Sequence, residues 1–342
     1  MHLFMAYILA WRKNMYSYKD IEDIHLEVTS KCQAKCPMCP RRINGGILNP
    51  LITLDEITLE QFKDWFPIDF VKQLRQLVMC GNLGDPIAAQ DTVEIFRYLR
   101  ENNKSINLKM HTNGSGRTPR WWIDLALLNV EVIFGIDGLQ DTNHLYRINT
   151  DYEKIIFNAQ TFIEAGGNAR WDMLIFEHNE HQIDACKKLS QEMGFKDFQT
   201  KHTTRFENNK FHVLNEQGKT INILYPTEKS KSMIEKAKEY INVPKSNIVC
   251  KAKKYKQLYV SATGNVAPCC WLDFDWILPK QDTRVDYMDR IGHSPSLKEF
   301  SLENIFESKY FREIEKTWVD KPLLECSKQC GNFDKLGAQF EN

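Results

Sequence analysis

Residues 31–40 read KCQAKCPMCP, directly after residues 24–30, which read IHLEVTS. Cys32, Cys36 and Cys39 leave three residues between the first two thiols and two between the last. The run Ile24–Val28 is a strand candidate, rich in apolar and β-branched residues. A strand that ends in this loop delivers its thiols to one rim of the sheet it joins. Structural zinc takes four protein ligands, and an iron–sulfur cubane takes one thiolate per iron. Three close thiols without a fourth leave one metal position open, where chemistry can happen. A zinc knuckle that borrows a distant fourth ligand is the other reading of this spacing.

Outward from this loop, β-like runs alternate with helical patterns. The strand candidates are Ile24–Val28, Leu77–Cys80, Ile106–His111, Val132–Ile136, Trp171–Phe176 and Phe198–Lys201. Helix candidates start at Thr58, where Gln61 completes a capping box, and run near Val93–Glu101, Pro119–Leu128, Tyr152–Ala165 and Glu180–Met193. Gly194 reads as a C-terminal cap. Six β-then-α units in series predict a parallel sheet, since each crossover returns the chain in one direction. Six falls short of the eight of a closed barrel. The expected fold is an α/β partial (β/α)6 TIM-type barrel with a small C-terminal domain; a doubly wound sheet is the alternative. Either way, the loops after the strands build the site.

The expected division is an N-terminal extension over 1–21, the barrel over 22–205, a linker over 206–248 and the second domain over 249–342. Eight of the ten cysteines lie in the two end groups, at 32, 36 and 39 and at 250, 269, 270, 326 and 330. Tyr255–Val260 and Asn265–Ala267 flank Ala262-Thr263-Gly264-Asn265, a hairpin turn by composition. A helix is expected from Leu302 to Trp318, its apolar stripe facing the core.

Lys plus Arg and Asp plus Glu each total 45, so nothing global argues for nucleic acid or an acidic membrane. The greasy start MHLFMAYILAW is too short to span a bilayer and lacks the features of a signal peptide. The expected location is the cytoplasm. There, clustered cysteines argue for metal or redox chemistry rather than disulfides.

With the motif Cys-x3-Cys-x2-Cys after the first strand of a (β/α)6 pattern, the chain resembles the radical S-adenosylmethionine (SAM) superfamily. The resemblance implies that Cys32, Cys36 and Cys39 hold a [4Fe-4S] cluster whose fourth iron is chelated by SAM. Met38, where an aromatic is usual, would cover the adenine. Gly81, Asn82, Gly84 and Asp85 resemble the "GGE" segment that receives the SAM amino group, with Asp for the usual Glu. Asn113 lies in a "TNG"-like segment. Gly135-Ile136-Asp137-Gly138 and Arg147 resemble "SIDG…R", which meets the ribose and carboxylate; Arg147 can instead pair with a helix. Asn179 belongs to an "FxxNE"-like segment, or caps the next helix. Cys80 would be a hydrogen donor to a substrate radical, or a buried structural thiol.

Cys250, thirteen residues, Gly264, four residues and Cys269 resemble the opening of a SPASM/Twitch auxiliary domain. This implies one auxiliary [4Fe-4S] cluster on Cys250, Cys269, Cys326 and Cys330, with Cys270 surplus and a zinc ribbon as the alternative. The implied function is a radical SAM oxidoreductase. It would abstract hydrogen from a small molecule or peptide, with flavodoxin or ferredoxin as electron donor, to give dehydrogenation, epimerisation or a new bond. Too few residues precede the first strand for a leader-binding domain, which favours a small molecule. The other function class is a non-catalytic zinc- or cluster-binding interaction protein.

Overall fold

The computed structural model describes residues 17–241, 248–274 and 290–331. Most of the expected N-terminal extension, residues 1–16, lies outside the described residues, as do 332–342 of the second domain. The six expected strands form in order: β1 (Asp23–Leu26), β2 (Gln76–Met79), β3 (Asn107–Thr112), β4 (Val130–Gly135), β5 (Asn168–Ile175) and β6 (Asp197–His202). Each pairs in parallel with the next. Helices α1 (Leu59–Trp65), α2 (Ile68–Gln73), α3 (Thr92–Asn102), α4 (Pro119–Leu127), α5 (Gln140–Tyr146), α6 (Tyr152–Glu164) and α7 (Ile183–Met193) run between them.

Local chemistry explains the helix ends. Thr58 Oγ1 accepts from Gln61 N at 3.2 Å, and Gln61 returns the bond to Thr58 N at 3.0 Å, closing the expected capping box on α1. Gly194 takes φ +88° after α7 and caps it, as its lack of a Cβ permits.

Strand alternation separates two faces. One face carries Ile24, Leu26, Leu77, Met79, Leu108, Met110, Val132, Phe134, Trp171 and Met173, all buried against the helices. Phe96 and Leu99 of α3 and Ile155 and Phe162 of α6 meet them. The opposite face is polar: Asp23 and His25 on β1 with Glu27 just after it, Lys109 and His111 on β3, Glu131 on β4, Arg170 and Asp172 on β5, Lys201 on β6. Ion pairs lace this face, Lys109–Glu131 at 3.0 Å, Arg170–Asp172 at 2.8 Å and Lys201–Asp172 at 2.8 Å.

Three expectations need correction. Residues 206–241 of the expected linker, which the structure describes, are not irregular: they hold the antiparallel hairpin β7 (Phe211–Leu214) and β8 (Thr220–Leu224) and the helix α8 (Glu228–Ile241). Val213, Leu224 and Ile234 pack with Phe206 on Ala34, Cys36 and Met38 of the cysteine loop. Only Val213 and Leu224 of the two strands are fully buried, and the turn and helix around them are polar, which is why the stretch read as irregular.

The second domain also does not begin as a separate module. Strand β9 (Gln257–Val260) pairs in parallel with β1 on its free edge, and β10 (Val266–Ala267) follows antiparallel through the expected turn at Gly264, φ +87°. The sheet is eight-stranded, in the order β10-β9-β1-β2-β3-β4-β5-β6. Beyond it come α9 (Lys251–Lys254), before β9 in the chain, then α10 (Cys270–Phe274), α11 (Leu302–Phe306), α12 (Lys309–Asp320) and α13 (Leu324–Cys330). The single helix expected over 302–318 is broken, because Ser308 caps α12 by accepting from Phe311 N.

Candidate functional site

The loop after β1 is fastened before its thiols are presented. Thr29 Oγ1 donates to Asp55 O at 2.8 Å, and Ser30 Oγ donates to Thr53 O at 2.5 Å. Lys35 N donates to Ile148 O at 2.8 Å, and Cys39 N closes a turn on Cys36 O at 3.1 Å. Cys32, Cys36 and Cys39 then line one cavity of about 340 Å³ with Gly81, Asn82, Gly84, Asp85, Asn113, Asp137 and Arg147. The structure therefore gathers ten of the expected site residues, from several different loops, around one space. Met38, Cys80 and Asn179 are not on its wall. Met38 packs outward with Phe206 and Val213. Cys80 directly follows β2, one residue from the lining.

Asp85 is buried and spends its carboxylate on the protein. Oδ1 accepts from Thr112 Oγ1 at 2.8 Å and Ile87 N at 3.1 Å; Oδ2 accepts from Asn113 N at 2.7 Å and Asn113 Nδ2 at 2.6 Å. Four bonds are about all that two carboxylate oxygens take. Asp85 thus holds the loop after β3 against the loop after β2. Asn113 passes the order on: its Nδ2 lies 3.6 Å from Cys32 Sγ.

Asp137 is fully buried; Oδ1 accepts from Leu174 N at 2.6 Å and Oδ2 from Arg147 Nε at 2.6 Å. Burial pushes its carboxyl up, and the Arg147 guanidinium opposes that. A Cβ on Gly135 would collide with Arg147 Nη2, so a side chain there would have to displace the guanidinium. Asn179, also fully buried, holds the next strand end. Its Oδ1 accepts from Phe176 N at 2.8 Å, and its Nδ2 donates to Asp137 O and Leu174 O at 3.0 Å. It stands at the cap position of a short 3-10 turn, but its side chain makes no capping bond.

Residues not singled out from the sequence complete the cavity: Arg41, Arg205, His111, Asp172 and Lys201. Burial, with Lys201 next, pushes the His111 imidazole down to about 3, so it is neutral. For the last three the signal was present in the strand sequences, as polar residues at every second position of β3, β5 and β6.

Below the wall, Glu27 is 1% exposed; its Oε1 accepts from Asn82 N at 2.8 Å, and its Oε2 has no partner among the described residues. Burial pushes this carboxyl up to about 8. Cys80 is pushed up to about 12, chiefly by burial and then by Glu27, so its thiol keeps its proton.

The second group of cysteines converges elsewhere. Cys250, Cys269, Cys326 and Cys330 line a small cavity of about 20 Å³ walled by Ile248, Pro268, Trp271, Leu272, Ile314 and Trp318. Cys250 and Cys330 share a hydrogen bond that holds the Cys330 proton loosely. Cys270 is absent from this lining and interacts instead with Glu27 and Asn82.

No three described His, Cys, Asp or Glu side chains stand close enough, as placed, to hold a metal ion. Each group is a cradle whose thiols share a cavity, and soft thiolates in sets of three and four are the donors that iron–sulfur clusters use. The residues fit such groups.

Residues 250–331 match the family model described as SPASM, an iron-sulfur cluster-binding domain. No curated protein matches the chain. Among solved structures, SuiB of Streptococcus suis shares 13% identity, with 89% of this chain and 67% of that one covered and a TM-score of 0.53. Histidine-tagged anSMEcpe with bound AdoMet shares 14% identity over 87% of this chain and 81% of that one, TM-score 0.56. Native anSMEcpe with bound AdoMet and the Kp18Cys peptide shares 15% identity over 87% and 84%, TM-score 0.55. With its mostly parallel sheet, the chain shares the fold of SuiB and anSMEcpe, and the segment that bears its second cysteine cradle is similar to the SPASM cluster-binding domain.

Proposed function

We propose that the protein is a radical SAM oxidoreductase with one auxiliary cluster. The observation that carries this is the cavity wall: three cysteines from one loop, and no fourth among the described lining residues. A [4Fe-4S] cluster on Cys32, Cys36 and Cys39, with SAM on its open iron, would supply a 5′-deoxyadenosyl radical that takes hydrogen from an unactivated carbon. The AdoMet bound by anSMEcpe supports a place for SAM in this fold. Gly81 and Gly84 keep the wall thin: a Cβ on either would strike the backbone of Gly84 or Thr29. Asn113 and Arg147 orient the thiol loop and the SAM site. Cys250, Cys269, Cys326 and Cys330, which line one small cavity without Cys270, would hold a closed auxiliary cluster. Cys80, protonated and one residue from the wall, is the hydrogen donor in an epimerisation.

The substrate is a small molecule or a peptide. SuiB in complex with its precursor peptide SuiA supports peptide access to this fold. The electron donor is a flavodoxin or ferredoxin. No described helix is long and apolar enough to cross a membrane, in keeping with a cytoplasmic enzyme.

Anaerobic reconstitution, then dithionite and SAM, tests the reading. Brown protein that releases 5′-deoxyadenosine supports it. A colourless zinc form with no product overturns it in favour of an interaction protein.

A further inference from the structure

Three arginines surround the three thiols of the large cavity. Arg147 interacts with Cys36, Arg41 with Cys32 and Cys39, and Arg205 with Cys39. Arg147 is neutralised by Asp137 at 2.6 Å. Arg41 has no such partner among the described ion pairs. It is only 6% exposed, anchored through Nε to Ser30 O at 2.9 Å, and its Nη1 is buried with no hydrogen-bond partner among the described residues. A buried guanidinium with an unspent donor is costly unless something negative meets it. The side chain lines the cavity, and the thiols it faces are those of Cys32 and Cys39.

We propose that Arg41 is a positioning residue that raises the reduction potential of a cluster held by Cys32, Cys36 and Cys39, by donating from its free Nη1 to that cluster. The proposal rests on the radical SAM reading above. Its basis is electrostatic: the reduced cluster carries one more negative charge, so a fixed guanidinium and a hydrogen bond to sulfur stabilise it over the oxidised form. Lysine keeps the charge and loses the planar fork, so it restores only part of the effect.

The experiment is an anaerobic redox titration of full-length reconstituted protein followed by electron paramagnetic resonance. Wild type, Arg41→Gln and Arg41→Lys are compared, with iron counted in each sample. The auxiliary cluster in the same tube is the internal control. At the wild-type midpoint, Arg41→Gln lowers the reduced-to-oxidised ratio of the loop cluster about tenfold, ~59 mV for a one-electron couple. The auxiliary signal does not move, and Arg41→Lys falls between. Should Arg41→Gln load poorly, Arg41→Met is the second neutral variant, with the same expected shift. An unchanged midpoint in a fully loaded neutral variant overturns the proposal. So does an unchanged midpoint with weaker SAM binding, which would make SAM the anion Arg41 meets. Failure of the underlying reading looks different: a Cys32→Ala, Cys36→Ala, Cys39→Ala triple variant would then keep all the iron of the wild type.

Discussion

Replacing Glu27 with glutamine should make the protein more stable, and increasingly so as the pH rises. The carboxyl sits 1% exposed at the end of β1, with one oxygen bonded to Asn82 N and the other unpartnered among the described residues. Burial raises it from 4.5 to about 8. The folded chain therefore holds a proton between those values that the unfolded chain has released. Stability linked to this group is fully present below pH 4.5 and is lost as pH climbs towards 8, above which it changes no further. At about 1.4 kcal/mol per pH unit, the loss by pH 7 is roughly 3 kcal/mol. Glutamine keeps an oxygen for Asn82 N and has no proton to lose. Urea unfolding of both proteins, in the same metal-loading state at about pH 5, 6, 7 and 8, reads the difference. The gap between variant and wild type should widen by roughly 3 kcal/mol between pH 5 and 7 or 8. Parallel profiles across that range would refute the claim that Glu27 is buried and protonated.

Other substitutions test the remaining geometry. Gly135→Ser places a side chain where Arg147 Nη2 lies and should break the Arg147–Asp137 pair, costing about 2 kcal/mol in denaturant unfolding. Cys269→Ser should remove about four irons per reconstituted chain while Cys270→Ser removes none, by iron assay. Equal losses would contradict the lining of the small cavity. Val213→Asp puts an unpaired charge into the apolar cover over Cys36 and should cause the loop cluster to bleach faster in air, followed by visible absorbance.

The repeating sheet was legible because short apolar, β-branched runs alternate with longer helical patterns, whereas the short helices Ile68–Gln73 and Gln140–Tyr146 were too brief to show a period of 3.6. The two cysteine groups were legible from spacing, since a loop gathers the first and a hairpin turn begins the second. Arg41, Arg205, His111, Asp172 and Lys201 were not, because they come from scattered elements and only the closing of the sheet brings them to one cavity. Asp85 illustrates a different limit. Its motif position suggested a ligand for an ammonium group, but motif position does not count hydrogen bonds, and four protein donors already occupy it. The hairpin and helix of 206–241 were missed because their solvent faces dominate the composition.

The pairing of β9 with β1 joins Asp23 to Gln257, more than two hundred positions apart along the chain. During synthesis the first strand must therefore wait, one edge bare, until residues 257–260 have left the ribosome. A product cut off before residue 257 would expose a sticky strand edge and invite aggregation. Maturation of the two cysteine-bearing halves is consequently a single late event, and neither half is expected to survive as a separable fragment.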